Sequence, residues 1–298
     1  MNKPAKSQII PYIAAVGTIL FWSSAFPAVR YTLQHYSPEA LMIFRFLIAS
    51  ALLLVYCAVR RVPMPKLRDM PLFATSGLVG VFLYMWVFNT GAATVQSGIS
   101  SFIISSAPVF TLIMSIVFLK EKASATIWIG VLVSFAGIGI IAAATITELQ
   151  LSTGVWLLLG AAVCTSAFNI IQKRITQSYT PMQATAYCIV FGTIPMLIFL
   201  PALIGEFPYA PASVNIAVVY LGVFPAALAY FLWGFALAKA DKTIYVTSFS
   251  YLSPFLASIM AFIWLGETIS PVALIGGVVV IAGMVITNVL RRRPSSLR

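Results

Sequence analysis

Ten long apolar runs divide this sequence, and they constrain its fold more than any other feature. About 20 apolar residues in a helix cross the hydrocarbon core of one bilayer. Of the 298 residues, 61% are hydrophobic and only 8% are charged, whereas a soluble domain carries about 25% charged residues. The sequence therefore predicts an all-α integral membrane protein whose transmembrane helices lie at approximately 11–33, 40–59, 71–90, 97–119, 125–146, 154–172, 182–204, 213–236, 243–265 and 271–290.

The positive charges alternate strictly along the chain. All but two of the 18 Lys and Arg residues precede the first run or follow an even-numbered run, and the connections after odd-numbered runs contain none. Cytoplasmic loops are enriched in Lys and Arg, so we expect both termini in the cytoplasm. Because these charges are spread over six short segments, the net charge of +11 does not indicate a nucleic-acid partner.

A stretch of 33 residues occurs twice, at 107–139 and 253–285. At a constant offset of 146 with no gap, eleven positions are identical, among them Pro108 with Pro254 and Glu121 with Glu267. Weaker matches join residues 23–26 to 165–168 and 37–38 to 180–181. Such similarity indicates a duplicated module, and we predict two five-helix repeats at 1–148 and 149–298.

An odd number of helices per repeat has a direct consequence for topology. The second repeat must enter the membrane from the opposite side, so the two halves are expected to be related by a pseudo-two-fold axis in the membrane plane. Inverted repeats of this kind are characteristic of transporters, in which one central site opens to either side. The pattern therefore favours a carrier.

Polar side chains recur once per helical turn in the fourth and ninth runs. The stripes end at equivalent prolines, which leave the carbonyls of Ile104 and Ser250 without a helical donor and predict a kink. One interpretation is helix packing through small polar residues. The other is that the stripes face a cavity and contact a polar solute, in which case the candidates are Ser97, Ser101, Ser105, Thr243, Thr247 and Tyr251, with Pro108 and Pro254 as structural residues.

Aromatic residues near mid-span form a second candidate set. They could face lipid or the helix core, or they could line a cavity. A cavity walled by rings and a few amide or hydroxyl groups favours amphipathic, planar or uncharged organic solutes. The candidates are Trp22, Phe26, Tyr84, Phe88, Phe168, Asn169, Tyr230 and Trp233.

Arg45 is the cation placed clearly within a run. An arginine at this depth can snorkel or bind backbone carbonyls, or it can attract a substrate carboxylate or help to close a gate. Glu121 and Glu267 start the turns before the fifth and tenth runs. A carboxylate is stabilised beside a helix N-terminus, so we expect both glutamates to be structural.

No Asp or Glu lies in the middle of any run. A proton-coupled antiporter needs a membrane-embedded group that binds either the proton or the substrate, so the sequence favours facilitated diffusion. The three cysteines have no metal-ligand spacing, and no metal or cofactor is predicted. Catalytic motifs such as HExxH and GxSxG are also missing from the sequence, so we do not expect an enzyme or a receptor.

The sequence resembles the drug/metabolite transporter (DMT) superfamily and, more closely, its EamA family of ten-span metabolite exporters. The resemblance rests on the inverted repeats, residues 22–27 (WSSAFP), residues 45–47 (RFL), and the hairpins containing Leu119-Lys120-Glu121 and Leu265-Gly266-Glu267. It implies export of amino acids or related small metabolites across a bacterial inner membrane, and the aromatic residues resemble those of the aromatic amino-acid exporter type. The alternative is proton-coupled multidrug efflux. The expected partners are the lipid bilayer and a small solute, and the oligomeric state is left open.

Overall fold

The structure is a computed structural model in which residues 6–95, 97–145, 153–265 and 271–288 are described. Glu267 and the side chain of Ser97 lie outside the described set. Within it the chain forms ten helical spans, which we number in chain order: Lys6–Thr32, Pro38–Val59, Leu67–Thr94, Ser97–Ile104 with Ala107–Phe118, Ala125–Thr145, Thr153–Ile175, Pro181–Tyr209, Ala212–Lys239, Thr243–Thr247 with Ser248–Leu252 and Ser253–Leu265, and Pro271–Asn288.

The predicted number and order of helices are confirmed. Seven described helices are long and apolar enough to cross a membrane, and Ala125–Ile140 and Ile275–Thr287 are shorter apolar helices. The outward faces are apolar too, since Ile216 and Val278 are 69% and 68% exposed. On helices that span a membrane, exposed apolar side chains such as these contact lipid. The chain is therefore an all-helical membrane protein.

One span of each repeat, span 2 and span 7, begins with the same local signal. Ser37 accepts a hydrogen bond from the Ala40 N–H, and Thr180 accepts one from Gln183 in a capping box. In both cases proline occupies the first helical position, where its missing N–H costs nothing. The weak sequence match between residues 37–38 and 180–181 therefore has a structural cause.

Residues in equivalent positions of the two repeats touch each other. Ser50 and Thr193, which are 143 residues apart like their N-caps, form a hydrogen bond between their hydroxyls at 2.8 Å. Ser134 Oγ donates to the carbonyl of Val280, its equivalent 146 residues later, at 3.2 Å. A residue meets its own equivalent only on a two-fold axis, so these two contacts mark the pseudo-two-fold axis.

The glycines of spans 5 and 10 show the same symmetry away from the axis. A Cβ at Gly130 would lie 2.7 Å from the carbonyl of Gly283, and a Cβ at Gly137 would lie 2.8 Å from that of Gly276. Gly276 is the equivalent of Gly130, and Gly137 is the equivalent of Gly283. The second contact is therefore the first contact with the two repeats exchanged. Small residues let helices in membranes approach this closely, which explains why these glycines are repeated in the sequence.

Irregular backbone occurs at equivalent places in both repeats. Span 3 contains a π-helical segment at Leu78–Leu83, and span 8 contains one at Gly222–Leu228. Span 4 is interrupted at residues 105–106, and span 9 becomes a 3-10 helix at Ser248–Leu252. Pro108 and Pro254 follow the interruptions, as predicted. Breaks of this kind in membrane helices are tolerated where they are buried in protein or line a cavity.

Candidate functional site: a central cavity between the repeats

The broken parts of spans 4 and 9 line a central cavity, together with Tyr84 and Tyr230, which follow the two π-helical segments. About 60 Å³ of it can hold the centre of a water molecule, which is room for a few waters. A larger solute must therefore displace side chains that line the cavity. The lining residues are Ile19, Trp22, Ala25, Phe26, Arg45, Tyr84, Met85, Phe88, Ile104, Ser105, Ala107, Pro108, Thr165, Phe168, Asn169, Tyr230, Trp233, Thr247, Ser250 and Ser253.

The structure brings all eight members of the aromatic candidate set to this cavity, together with Ser105 and Thr247 of the polar stripes. Trp86, two residues from Tyr84, points away and is 41% exposed. The cavity also contains Arg45 and Pro108. Whether these residues bind a solute stays a prediction.

Three candidates from the polar stripes do not line the cavity. Ser101 is buried and its carbonyl accepts from Ser105 Oγ, so it supports the neighbouring turn. Thr243 is held by Glu121 at one end of span 9. Tyr251 packs with Leu112 and Val280 in a separate apolar cluster. For Tyr251 the stripe expectation fails because span 9 is tightened to a 3-10 helix at Ser248–Leu252, which rotates this residue off the face expected for a regular helix.

Asn169 organises the aromatic wall. Its Oδ1 accepts a hydrogen bond from Trp233 Nε1 at 2.7 Å, and its Nδ2 donates to Thr111 Oγ1 at 3.3 Å. The Trp233 ring lies 4.9 Å from that of Trp22, whose Nε1 donates to the carbonyl of Pro225 at 3.0 Å. Both indole N–H groups are therefore satisfied, and the rings are fixed in orientation.

Hydroxyl groups from spans 1, 4 and 6 reach the broken spans. Ser105 Oγ lies 3.3 Å from the carbonyl of Ser250, one of the two carbonyls predicted to lack a helical donor. Ser166 Oγ donates to the carbonyl of Ala107 at 2.8 Å, and Ser23 Oγ lies 3.2 Å from Ser253 Oγ. Because Ala107 and Ser253 are equivalent positions, each break is supported by the Ser-containing segment of the other repeat.

Arg45 does not snorkel to the surface. Its side chain is only 2% exposed and lies on the cavity wall. Its Nε donates to the carbonyl of Leu221 at 3.2 Å, and its guanidinium carbon lies 5.6 Å from the centre of the Phe46 ring. The π-helical segment that begins at Gly222 brings span 8 close, since a Cβ on that glycine would meet the Arg45 carbonyl at 2.9 Å.

Contacts join the two repeats on the face that carries the basic connections, which we call the basic face. The Glu121 carboxylate accepts hydrogen bonds from Thr243 N at 3.1 Å and from Thr243 Oγ1 at 2.7 Å. We expected Glu121 to act at the start of its own following helix. It instead stabilises the N-terminus of span 9 in the other repeat, where the positive end of the helix dipole favours a carboxylate.

The opposite face is held by a different set of polar contacts. Tyr36 donates to Asn215 Oδ1, and the Ser37 N–H donates to Glu206 Oε2 at 2.8 Å. Burial, reinforced by the negative charge of Glu206, raises the pKa of the Tyr36 hydroxyl above its ordinary value. The hydroxyl therefore stays protonated and continues to donate across the physiological pH range.

Sequence reasoning missed several lining residues as candidates: Ile19, Ala25, Met85, Ile104, Ala107, Thr165, Ser250 and Ser253. Ile104 and Ser250 carry the carbonyls that the prolines release, and Thr165 belongs to a repeated segment, so signals for these three were present. Ile19 and Met85 are ordinary apolar residues of a membrane helix, and nothing local distinguishes them from lipid-facing neighbours.

The fold agrees with comparisons to known proteins. The EamA-like transporter family matches residues 9–143 and 152–289, and the chain belongs to this family of membrane transporters. It is 35% identical over 286 residues to a "Probable terminal-alkyne amino-acid exporter" of Streptantibioticus cattleyicolor. The aligned residues cover 95% of this chain and 96% of the relative. It is 34% identical to the "Uncharacterized transporter YdfC" of Bacillus subtilis over 96% and 92% of the two chains.

Two further similarities concern location and fold. The chain is 26% identical to the "Uncharacterized inner membrane transporter YedA" of Escherichia coli, over 94% and 92% of the two chains. A solved crystal structure of an 18% identical protein superposes with a TM-score of 0.76, covering 99% of this chain and all of that one. At this identity the superposition shows the shared fold alone.

Proposed function

We propose that this transporter exports amino acids, aromatic or neutral, or related small metabolites. The observation that carries the proposal is the aromatic cavity between the two repeats, lined in part by the broken parts of spans 4 and 9. The name of the Streptantibioticus relative, an amino-acid exporter at 35% identity, supports the same solute class. The aromatic walls suit solutes with an apolar side chain.

Alternating access follows from the symmetry of the repeats. The described contacts on the basic face join Glu121 of the first repeat to Thr243 of the second, so they must break for the cavity to open on that side. In an inverted repeat the two halves can exchange conformations, and this exchange moves the opening to the other face. We assign residues 1–148 and 149–298 to the two exchanging units.

We further propose that the carrier is a facilitative uniporter. The residues that line the cavity in the described parts of the chain include no Asp, Glu or His. Proton coupling requires a group that exchanges a proton for substrate within the membrane. In the absence of such a group, flux follows the gradient of the solute.

The positive charges support a location and an orientation. We place the protein in a bacterial inner membrane, as for the YedA relative, with the basic face and both termini in the cytoplasm. In this orientation the Glu121 contact closes the cytoplasmic side. The solute would be bound by Trp22, Phe26, Tyr84, Phe88, Ser105, Phe168, Asn169, Tyr230, Trp233 and Thr247.

Uptake into proteoliposomes tests the proposal. Purified protein should increase the flux of labelled phenylalanine and leucine down their concentration gradients, and an imposed pH gradient should leave the initial rate unchanged. Strict dependence of uptake on that gradient would rule out the uniporter and favour the alternative, proton-coupled drug or metabolite antiport. Reporter tags at both termini, tested for access from each side, check the orientation.

A further inference from the structure

The cavity holds a strong hydrogen-bond donor whose charge has no carboxylate partner among the residues that the structure describes. Among the described residues that line the cavity, Arg45 is the only one that carries a charge. The ion pair found among the described residues, Arg68 with Asp69, lies elsewhere on a connection between spans 2 and 3. A buried charge left without a counter-charge is costly. Retaining one in an apolar cavity therefore calls for a compensating group.

Most of the hydrogen-bonding capacity of Arg45 is not used by the described part of the chain. A guanidinium carries five N–H donors. Within the described residues, Nε binds the Leu221 carbonyl at 3.2 Å and Nη1 reaches only the weakly accepting Met85 sulfur at 3.7 Å. The Leu221 contact and the ring of Phe46 fix the base of the group. The remaining donors are left at the cavity wall.

Two tyrosine hydroxyls add to this surplus of donors. Tyr84 and Tyr230 occupy equivalent positions in the repeats and line the same cavity as Arg45. Their rings are fixed by contacts with Phe88 and Phe168, at 5.8 Å and 5.6 Å between centroids. A hydroxyl can donate as well as accept, so a ligand with several acceptors satisfies all three side chains.

We propose that Arg45, Tyr84 and Tyr230 form a subsite for a single carboxylate group of the transported solute. A planar guanidinium matches the two oxygens of a carboxylate, and the charge-assisted bonds are about twice as strong as neutral ones. One cation neutralises one carboxylate, so amino acids with one acidic group fit and dicarboxylates do not. This inference rests on the proposed function, because it assigns a role to the same cavity.

Analogues that differ only in the carboxyl group test the subsite. Phenylalanine and 3-phenylpropionate should compete with labelled phenylalanine uptake in proteoliposomes. Phenylalaninamide, which keeps the amine and the ring, should compete about tenfold to a hundredfold less well, the range expected for losing hydrogen bonds to a charged group. Binding to the purified protein, measured as thermal stabilisation by each analogue, provides a second readout without transport.

The R45Q variant should remove the preference for acid over amide, so that the two analogues compete about equally. R30Q is the matched control, because Arg30 is exposed near the end of span 1; it should keep the full preference. Should R45Q fail to purify as a folded protein, Y84F and Y230F each remove one donor while keeping the ring, and each should lower the preference several-fold.

The outcomes separate the subsite from the proposed function. Amino-acid flux with no preference for acid over amide, or a preference that survives in R45Q, overturns the subsite and leaves the carrier standing. Acid-selective stabilisation that is lost in R45Q, without any amino-acid flux, upholds the subsite and overturns the proposed function. Acid-selective flux that is lost in R45Q supports both.

Discussion

The two repeats share a framework but contribute different chemistry to the cavity. Tyr84 and Tyr230 occupy equivalent positions and both line it. The position equivalent to Arg45, 143 residues later, is Cys188, which is fully buried. The position equivalent to Asn169, 142 residues earlier, is Pro27. Each repeat thus supplies one strongly polar group where the other supplies none.

This difference distinguishes two requirements on the sequence, the symmetry of the framework and the recognition of a solute. The axis contacts, the glycine contacts, the helix breaks and the π-helical segments all recur, as the proposed alternating access would require of halves that exchange roles. The two strongly polar groups, Arg45 and Asn169, do not recur, which fits the recognition of a solute whose two ends differ. The departures from the repeat are therefore better guides to recognition than the repeat itself.

The largest expected effect concerns the shared framework. Replacing Gly137 or its equivalent Gly283 by alanine places a Cβ 2.7 Å from Val280 N or 2.4 Å from Ser134 N, and overpacking of this kind costs about 1–3 kcal/mol. Thermal stability of the purified protein in detergent should fall by a similar amount in both variants. Gly139→Ala is the control, since a Cβ there meets nothing within 4 Å and alanine favours helix by up to about 1 kcal/mol. A large loss in only one of the two variants would contradict the equivalence of the repeats.

The next effect in size is expected at Asn169, a position that differs between the two repeats. Asn169→Ala removes the acceptor of the Trp233 indole N–H, and a buried donor left unsatisfied costs about 1–3 kcal/mol. The initial rate of amino-acid uptake should fall about tenfold, with membrane insertion and yield unchanged. Thr75→Ala serves as the control, because the Thr75 hydroxyl is exposed and donates to the Pro71 carbonyl within its own helix, away from the cavity. Equal loss of flux in both variants would indicate a general loss of structure.

The contact between repeats on the basic face should shift the balance of states. Glu121→Gln weakens the bonds to Thr243, and charged hydrogen bonds of this kind contribute about 1.5–3 kcal/mol. A cysteine introduced at Thr247 on the cavity wall should then react faster with a membrane-impermeant thiol reagent added on the basic side, in a background without the three native cysteines. Glu39→Gln, which affects only a 3.4 Å contact with Trp86, should leave the labelling rate unchanged. An unaltered rate in Glu121→Gln would remove this contact from the gate.

The smallest effects are expected on the lipid-facing side of the same span that carries Tyr84. Trp86→Phe changes a ring that is 41% exposed and should leave uptake unchanged, whereas Tyr84→Ala should reduce it several-fold by removing a cavity wall. Comparable rates in the two variants would mean that the assigned cavity is not the solute pathway.

Much of this architecture could be predicted from the sequence, for identifiable physical reasons. The apolar runs, the alternation of charged connections and the matches at an offset of 146 residues can all be read from the residue types along the chain. They therefore predicted the ten helices and the two repeats. Asn169 and Trp233 were identified because polar and aromatic side chains are conspicuous in an apolar run.

Other features depend on backbone geometry that no local pattern reveals. The residue types at 78–83 do not predict a π-helical segment. The segment nevertheless comes directly before Tyr84, which lines the cavity. The 3-10 helix at Ser248–Leu252 moved Tyr251 away from the cavity. The partner of Glu121 lies 122 residues away in the other repeat, and only the folded arrangement of the repeats shows that the two meet.

The self-pairing of Ser50 with Thr193 and of Ser134 with Val280 has a mechanical consequence. In the alternating access that we propose, contacts away from the axis would be exchanged for their equivalents in the other repeat, whereas a contact between a residue and its own equivalent would be kept. These two contacts would then act as the pivot of the motion, and a substitution there should change the stability of the protein without favouring either of its two openings.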